Sequence, residues 1–384
     1  MNFDIIFNRI NLVTHPIEKM DLILTIGALI IGFLLVMISI PPIIRVANAK
    51  HLFEPFDERR IHTKIIPPMG GVAIFIGFTL SSIIATDGIS FDALKYIIAS
   101  VIIMFFIGLK DDLMDISARK KLMVQVFAAV ILITLGNVRF TNLHGILGTG
   151  EIGYITSIIL SIFAMVVIIN AFNLIDGIDG LASGLAIIAA TAFGTWFFLA
   201  GNIQFAILSF ALVGSLAGFF IYNVFGHRNK LFMGDTGSLI IGLVISALVV
   251  KFNEFNINLS ESYSIKAAPA VSFAIIIVPL VDTLRVMTIR IYNKTSPFSP
   301  DNNHIHHRLL GLVSSHLKVT LIIISINIVI IVFALLLNQL KINVNVQFIL
   351  VLLVGIIFSF IPSALLKIKS AEKIKSSKQI KQFS

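Results

Sequence analysis

Long apolar runs dominate the chain, and short polar segments separate them. A helix needs roughly 20 mainly apolar residues to cross a bilayer, because its backbone must satisfy its own hydrogen bonds in hydrocarbon. The pattern therefore predicts an all-α, polytopic membrane protein with about eleven transmembrane helices. The predicted spans are 21–44, 68–86, 94–109, 122–136, 153–170, 181–200, 204–222, 237–251, 268–290, 318–338 and 346–366.

Composition supports this fold class and excludes several kinds of chemistry. Of the 384 residues, 57% are hydrophobic and 13% are charged. No soluble domain needs so large a share of hydrophobic residues. The chain has no cysteine, so disulfides, thiol catalysis and thiolate metal ligands are excluded. The first 20 residues lack a basic start that leads into a short apolar core, so we expect no cleavable signal peptide.

The placement of lysine and arginine predicts the orientation in the membrane. Most of the 29 basic residues fall in the connections on one side, which the positive-inside rule makes cytoplasmic. The N-terminus is then outside and the C-terminus cytoplasmic. We interpret the net charge of +9 through topology and contact with anionic membrane lipids, and we expect no nucleic acid partner. Residues 1–366 are predicted to form a single transmembrane catalytic domain, and 367–384 a basic, solvated and partly disordered cytoplasmic tail.

Polar clusters concentrate on the predicted cytoplasmic side, where they border the spans. Ionisable residues are costly in hydrocarbon, so a cluster at one membrane level indicates function. The outer side offers little by comparison, apart from the Gly-containing stretch 139–153, which suits a small hairpin. The five cytoplasmic clusters lie at 54–71, 111–121, 170–180, 232–238 and 301–308.

Carboxylates in these clusters suggest a divalent cation. Asp111 and Asp112 are adjacent, and ionising both is costly unless a cation lies near them. Hard oxygen donors favour Mg²⁺ or Mn²⁺ over zinc. Asp235 falls near the start of the eighth span at the same level. The alternative is a solvated loop with incidental acids.

Two further clusters suit the binding of an anion. Gly177 and Gly180 alternate with Asp176 and Asp179, which favours a tight turn whose amide groups face an anion, or simply a helix cap. The second cluster is a patch that could hold a pyrophosphate, unless it is a chance His-rich loop; it comprises His304, His306, His307 and Arg308.

One pair within the ninth span has a more ordinary explanation. Asp282 and Arg285 stand three residues apart, so they can pair on one helix face. A purely structural role for this pair is as plausible as a functional one.

Together these strings resemble the polyprenyl-phosphate N-acetylhexosamine-1-phosphate transferase family, which also contains phospho-MurNAc-pentapeptide translocase. The resemblance runs from about residue 50 to about 311, and the combination is specific although no single string is. The His-x-His-His form of the last string resembles the branch that uses UDP-N-acetylglucosamine. Asn302 and Asn303 depart from the family pattern, in which a basic residue often follows the aspartate. The matching strings are 59–62 with 67–71, 111–121, 170–180, 232–238 and 279–307.

The resemblance implies a role for individual residues. Asp235 corresponds to the principal Mg²⁺ ligand, and Asn173 to a second ligand through its amide oxygen. Asp111 and Asp112 correspond to the pair that handles the acceptor phosphate, and Lys121 to a contact with the pyrophosphate. The implied substrate-binding residues, for uridine, diphosphate or sugar, are Asp176, Asp179, Phe232, His304, His306, His307, Arg59 and His62.

The implied reaction is transfer of N-acetylhexosamine 1-phosphate, with GlcNAc 1-phosphate favoured, from a UDP-sugar to undecaprenyl phosphate. It releases UMP, initiates lipid-linked glycan synthesis and takes place at the cytoplasmic face of the plasma membrane. The alternatives are a phospho-MurNAc-pentapeptide transferase-like enzyme, an ion-coupled transporter, and a non-catalytic lipid-binding scaffold. The sequence leaves open whether the protein is a monomer or a homodimer.

Overall fold

The computed structural model describes residues 19–52, 66–86, 91–226, 229–259, 263–294 and 303–382. These residues form a bundle of helices with one small hairpin. The helices are α1 (Lys19–Ala49), α2 (Gly70–Ala85), α3 (Asp92–Leu113), α4 (Ala118–Val130), α5 (Tyr154–Ile175), α6 (Leu181–Leu199), α7 (Ile203–Phe225), α8 (Gly234–Phe255), α9 (Ala268–Ile275), α10 (Ile277–Tyr292), α11 (Ile305–Leu310), α12 (His316–Gln339) and α13 (Val344–Gln382).

The predicted all-α membrane architecture is confirmed, and each predicted span overlaps a helix. Within the described residues, eight helices are long and apolar enough to cross a membrane. The pair α9–α10 makes a ninth if its 77° bend is counted within one span. Helix α2 is shorter, and α4 continues into a π-helical turn at Ile131–Leu135. The count of eleven spans therefore stays a prediction, because it depends on counting these shorter segments.

Helix α8 is the centre of the bundle. In an apolar stretch of 18 residues within this helix, 83% of the residues are buried. This is the largest buried share among the candidate membrane spans in the described part of the chain. It packs against α2, α3, α5 and α6. Gly108 allows α3 to approach the first turn of α8, since a Cβ atom there would lie 2.4 Å from Thr236 Cα. The N-terminus of α8 is thus enclosed by other helices, and Asp235 is its second residue.

Some polar segments that lie outside the predicted spans are helical in the structure. Asp111 and Asp112 lie in the last turn of α3, and α5 runs through Asn173 to Ile175. In both cases the apolar run ends before the helix does. This is because hydropathy indicates whether a side chain lies in hydrocarbon, and it does not indicate whether the backbone is helical. Asp111 and Asn173 therefore sit on rigid elements.

The opposite end of α8 carries the predicted hairpin, which is confirmed. Strands β1 (Asn142–Ile146) and β2 (Thr149–Glu151) pair antiparallel. Thr141 donates its backbone N–H and its hydroxyl to Glu254, both at 2.7 Å. Because a 22-residue helix is about 33 Å long, the hairpin and Asp235 lie at opposite ends of the bundle.

The C-terminal segment differs from its prediction. Helix α13 continues through the basic tail as far as Gln382, where we expected a partly disordered segment. Lys, Glu, Gln and Ala are good helix formers, so a charged composition does not exclude a helix.

Candidate functional site

The adjacent residues Asp111 and Asp112 have different partners. Asp112 accepts hydrogen bonds from the backbone N–H groups of Asp235 at 2.6 Å and Thr236 at 3.1 Å, and from the Thr236 hydroxyl at 2.5 Å. Both of its oxygens therefore satisfy the otherwise unpaired first amides of α8. Asp111 accepts from the Ile116 N–H at 2.8 Å through one oxygen and leaves the other for a side chain.

Lys121 joins two of the predicted carboxylates. Its Nζ donates to Asp111 Oδ2 at 2.6 Å and to Asp235 Oδ2 at 2.8 Å. Helices α3, α4 and α8 therefore meet at a single ammonium group. One cation between two acids offsets the repulsion that would otherwise oppose their convergence.

Asn173 holds the other oxygen of Asp235. Its Nδ2 donates to Asp235 Oδ1 at 2.8 Å and to Ser238 Oγ at 2.9 Å. The amide nitrogen, and not the oxygen, faces the carboxylate. Ligation of a metal through the Asn173 oxygen therefore requires the amide plane to turn over.

The loop between α5 and α6 adds two acids with different environments. Burial, together with the negative charges of Asp235, Asp112 and Asp179, raises the pKa of Asp176 to about 8. Although burial alone would raise the pKa of Asp179, hydrogen bonds from His316 and Lys230 hold it below its ordinary value. Near neutral pH, Asp176 is therefore largely protonated while Asp179 is ionised.

Asp179 is surrounded by groups from three elements. Its Oδ2 accepts from Lys230 Nζ at 2.6 Å and pairs with His316 Nδ1 at 2.9 Å. Lys230 Nζ also lies 5.7 Å from the centre of the Phe232 ring. Lys230 therefore lies between Asp179 and the half-buried Phe232 ring.

A buried carboxylate orders the histidine segment. Asp282 is 2% exposed and accepts from His304 Nδ1 at 2.8 Å and from the Ile305 N–H at 2.9 Å. Arg285 NH2 donates to Asp282 at 2.9 Å, which confirms the predicted pairing on one helix face. Asp282 thus accepts the first N–H of α11, whereas Asp112 accepts two N–H groups of the first turn of α8.

His306 connects the histidine segment to the Asp176–Asp179 loop. The ring is 1% exposed, and a Cβ atom at Gly177 would lie 2.2 Å from its Nε2. Burial and the neighbouring His307 lower the pKa of His306 to about 3, so the ring is neutral. Neither ring nitrogen has a hydrogen-bond partner among the described residues. His307 lies alongside, with ring centres 4.3 Å apart.

The structure brings most of the predicted site residues to one end of the bundle. Arg59 and His62 lie outside the described residues, so their predicted placement stays a prediction. The residues that meet through the contacts above are Asp111, Asp112, Lys121, Asn173, Asp176, Asp179, Phe232, Asp235, His304, His306 and His307.

Three residues at the site, Lys230, His316 and Asn223, escaped the sequence analysis, and Ser238 was predicted only as part of a string. Lys230 stands two positions before Phe232, so its proximity in sequence offered a signal. Ser238 closes the predicted 232–238 string and contacts Asn173. His316 and Asn223 gave no signal, because only the fold brings α12 to Asp179 and places Asn223 Oδ1 2.6 Å from the Gly180 N–H.

The donor set of the site is rich in oxygen and contains a cation of its own. Among the described residues, no group of three or more His, Asp or Glu side chains is arranged to hold a metal ion. Mg²⁺ does not need such a cage, because proteins usually hold it through one or two carboxylates together with waters and substrate phosphates. The carboxylate of Asp235 would meet that requirement, together with the Asn173 amide oxygen once the amide plane has turned over.

Known proteins share this part of the chain. Residues 94–253 match the model of glycosyl transferase family 4. A Bacillus subtilis (strain 168) protein named probable undecaprenyl-phosphate N-acetylglucosaminyl 1-phosphate transferase is 33% identical over 77% of this chain and 80% of its own length. The Escherichia coli (strain K12) undecaprenyl-phosphate alpha-N-acetylglucosaminyl 1-phosphate transferase is 31% identical, over 69% and 71%. The decaprenyl-phosphate N-acetylglucosaminephosphotransferase of Mycolicibacterium smegmatis is 33% identical, over 69% and 70%.

Proposed function

The chain belongs to glycosyl transferase family 4, among the polyprenyl-phosphate N-acetylglucosamine-1-phosphate transferases, and on that premise we propose that it transfers GlcNAc 1-phosphate from UDP-GlcNAc to undecaprenyl phosphate. UMP is released, and the product is a polyprenyl diphosphate sugar on which a lipid-linked glycan is built. The observation that carries the proposal is the network in which Lys121 Nζ contacts both Asp111 and Asp235.

The network matches what transfer of a phosphoryl group demands. Such a reaction needs neutralisation of charge and alignment of the nucleophile more than it needs covalent help from the protein. Lys121 supplies a fixed positive charge between two carboxylates, and Asn173 restrains Asp235 from the other side. These groups come from four helices, so the packed bundle holds their backbones in place before the reaction begins.

We assign different roles to the two adjacent aspartates. Asp111 has one oxygen directed at Lys121, so it would accept a proton from the acceptor phosphate and keep the nucleophilic oxygen charged. Asp112 is fully engaged with the first turn of α8, so it would position Asp235.

Asp235 and Asn173 are the residues that would hold Mg²⁺. When bound, the cation would neutralise the donor diphosphate and stabilise the negative charge on the departing UMP. Carboxylate and amide oxygens suit Mg²⁺, or Mn²⁺ in its place. Lys121 remains the group that keeps the two carboxylates together.

The donor would bind beside the α5–α6 loop and the histidine segment. A protonated Asp176 can donate a hydrogen bond, and an ionised Asp179 can accept one from ribose or uracil. Phe232 would stack on the uracil ring. His304, His306 and His307 would face the diphosphate and the sugar.

Direct attack by the acceptor phosphate and a covalent route through an aspartate use the same residues. Incubation with labelled UDP-GlcNAc in the absence of acceptor separates the routes. Direct attack predicts no labelled protein in the wild type. A labelled adduct that disappears in Asp111→Asn would instead establish the covalent route.

The proposed location is the plasma membrane, with the site open to the cytoplasm. The topology has eleven spans, the N-terminus outside and the C-terminus inside. The clustering of basic residues near the site end supports this orientation. A labelling experiment on single cysteines is clean here because the chain has none. A cysteine at Leu147 in the hairpin should react with an impermeant reagent from outside, and one at Lys120 should not.

Purified protein with undecaprenyl phosphate and a panel of UDP-sugars tests the reaction. UMP release should require Mg²⁺ and be fastest with UDP-GlcNAc, and mass spectrometry should show the lipid diphosphate sugar. The competing donors are UDP-GalNAc and UDP-MurNAc-pentapeptide. A preference for the pentapeptide donor would move the protein to peptidoglycan synthesis, and absence of turnover with every donor would refute the proposal.

A further inference from the structure

A pair of side-chain amides, Gln125 buried and Asn170 half-buried, joins α4 to α5, and none of the steps above uses it. Asn170 Nδ2 donates to Gln125 Oε1 at 2.7 Å, and Gln125 Nε2 donates to Asn170 Oδ1 at 3.4 Å. Asn170 Nδ2 also donates to the Val166 carbonyl at 2.8 Å. Gln125 is only 2% exposed. Leaving the buried amide of Gln125 without its partner is costly, so Gln125 requires Asn170 in place.

The pair lies one helical turn from the catalytic network on both helices. Gln125 follows Lys121 by four residues on α4, and Asn170 precedes Asn173 by three on α5. Residues three or four apart share one face of a helix. Lys121 and Asn173 each contact a different oxygen of Asp235, both at 2.8 Å. The amide pair therefore connects the same two helices that hold Asp235 from opposite sides.

Little else on α4 specifies its position along α5. The buried residues of α4 are Gln125, Ala128 and Ala129. Alanines allow helices to approach closely but fix no position along the axis, whereas paired amides have a directional geometry. The one other buried polar contact that the structure gives α4 within the described residues runs to α3, from Ser100 Oγ to the Ala128 carbonyl at 3.0 Å.

We propose that Gln125 and Asn170 are positioning residues for the transfer reaction. Their amide pair holds α4 and α5 in the axial register at which Lys121 and Asn173 reach Asp235 together. The inference rests on the proposed function, because its readout is sugar-phosphate transfer. Neither residue contacts a group to which we assign substrate binding, so the pair acts on turnover through Lys121 and Asn173.

Exchange of the two side chains provides the test. Gln125→Asn shortens one arm and opens the pair, whereas the double variant Gln125→Asn with Asn170→Gln keeps the total length and both amides. A displacement of about 1 Å near a reacting centre costs up to roughly 100-fold in rate, so we expect kcat of Gln125→Asn to fall at least about tenfold. KM for UDP-GlcNAc should stay within about twofold, and the double variant should return to within about threefold of wild type.

Two further variants separate positioning from general stability. Gln125→Met keeps the side-chain length and removes the hydrogen bonds, so it should fold and still lose kcat. Ser100→Ala removes a buried hydrogen bond of α4 away from the network, so it should lower the melting temperature without lowering kcat. All four proteins are compared with wild type for melting temperature, kcat and KM in the same detergent.

Each possible result either supports or overturns the positioning role of Gln125 and Asn170. A loss of kcat in Gln125→Asn and Gln125→Met, with recovery in the double variant, supports the inference. Unchanged kcat in Gln125→Met, or a double variant that folds but is no better than Gln125→Asn, overturns it. So does a loss of kcat in Ser100→Ala as large as that in Gln125→Met. A wild type without turnover would refute the proposed function itself, whereas an active wild type with unaffected variants refutes only the positioning role.

Discussion

Asp111 and Asp112 are neighbours in sequence with different partners in the structure, and replacing each by asparagine tests the proposed division of roles. Asp112 accepts hydrogen bonds from the N–H groups of Asp235 and Thr236 through different oxygens. Asparagine has one acceptor oxygen, and its NH₂ group would face the remaining donor. Asp112→Asn therefore removes one acceptor from the first turn of α8, whereas Asp111→Asn leaves both acceptors of that turn in place.

The hydrogen bonds set the size of the expected effect. Leaving one buried N–H of the first turn of α8 without an acceptor costs about 1–3 kcal/mol. Asp112→Asn should therefore destabilise the protein by about 1–3 kcal/mol. In Asp111→Asn, the remaining oxygen can still accept from the Ile116 N–H, and Lys121 keeps its contact with Asp235. Its stability should change by less than about 1.5 kcal/mol.

Thermal melting and transfer kinetics are measured on the same detergent-solubilised samples. Asp112→Asn should melt several degrees below wild type, and its residual activity should fall more steeply with temperature. Asp111→Asn should melt near wild type and lose about 100-fold or more in kcat, as expected when a general base is removed. If Asp111→Asn is the variant that melts early, or if Asp112→Asn melts like wild type, the division of roles is wrong.

Three more predictions follow from contacts at the site. Lys121→Met should lose about 100-fold or more in kcat, and it leaves two close carboxylates without their cation. Mg²⁺ should therefore raise the melting temperature of this variant more than that of wild type. An equal rise in melting temperature for both proteins would contradict the bridging role of Lys121. Gly177→Ala should displace His306 and raise KM for UDP-GlcNAc, whereas Gly153→Ala, which has open space around it, should match wild type in the same assay. Asp176 keeps its proton in the folded protein up to its pKa of about 8 but loses it near 3.8 in the unfolded chain, so this residue increasingly destabilises the folded state as the pH rises between these values. Asp176→Asn should therefore raise the melting temperature clearly at about pH 7.5 and barely at about pH 4.5. Equal gains at both pH values would refute this prediction.

The hydrophobic pattern was enough to predict the fold class. Runs such as 237–251 must be satisfied within one helix in a bilayer, so length and polarity alone locate them. Helix ends were less predictable, as Asn173 shows. Its helix continues past the apolar run because polar side chains can project from a helix into a cleft.

The candidate site was predicted as a set of residues and not as an arrangement. Aspartates at one membrane level indicated convergence, and Lys121 joining Asp111 to Asp235 confirms that these residues meet. Spacing could not show that Asp112 caps α8, since that role depends on which helix packs against its end. For the same reason, the contact between His316 and Asp179 could not be predicted from the sequence, because it depends on the packing of α12 beside Asp179.

Sequence alone thus determined which segments enter the membrane and which polar residues stay at its edge, because transfer of a side chain into hydrocarbon is a local property that each residue carries with it. Only the tertiary structure decided the partner of each charge. Asp111 and Asp112 have the same side chain and adjacent positions, yet one faces Lys121 and the other the amides of α8. Hydrogen bonds act over about 3 Å, so roles at that scale depend on packing between helices that are distant in the chain.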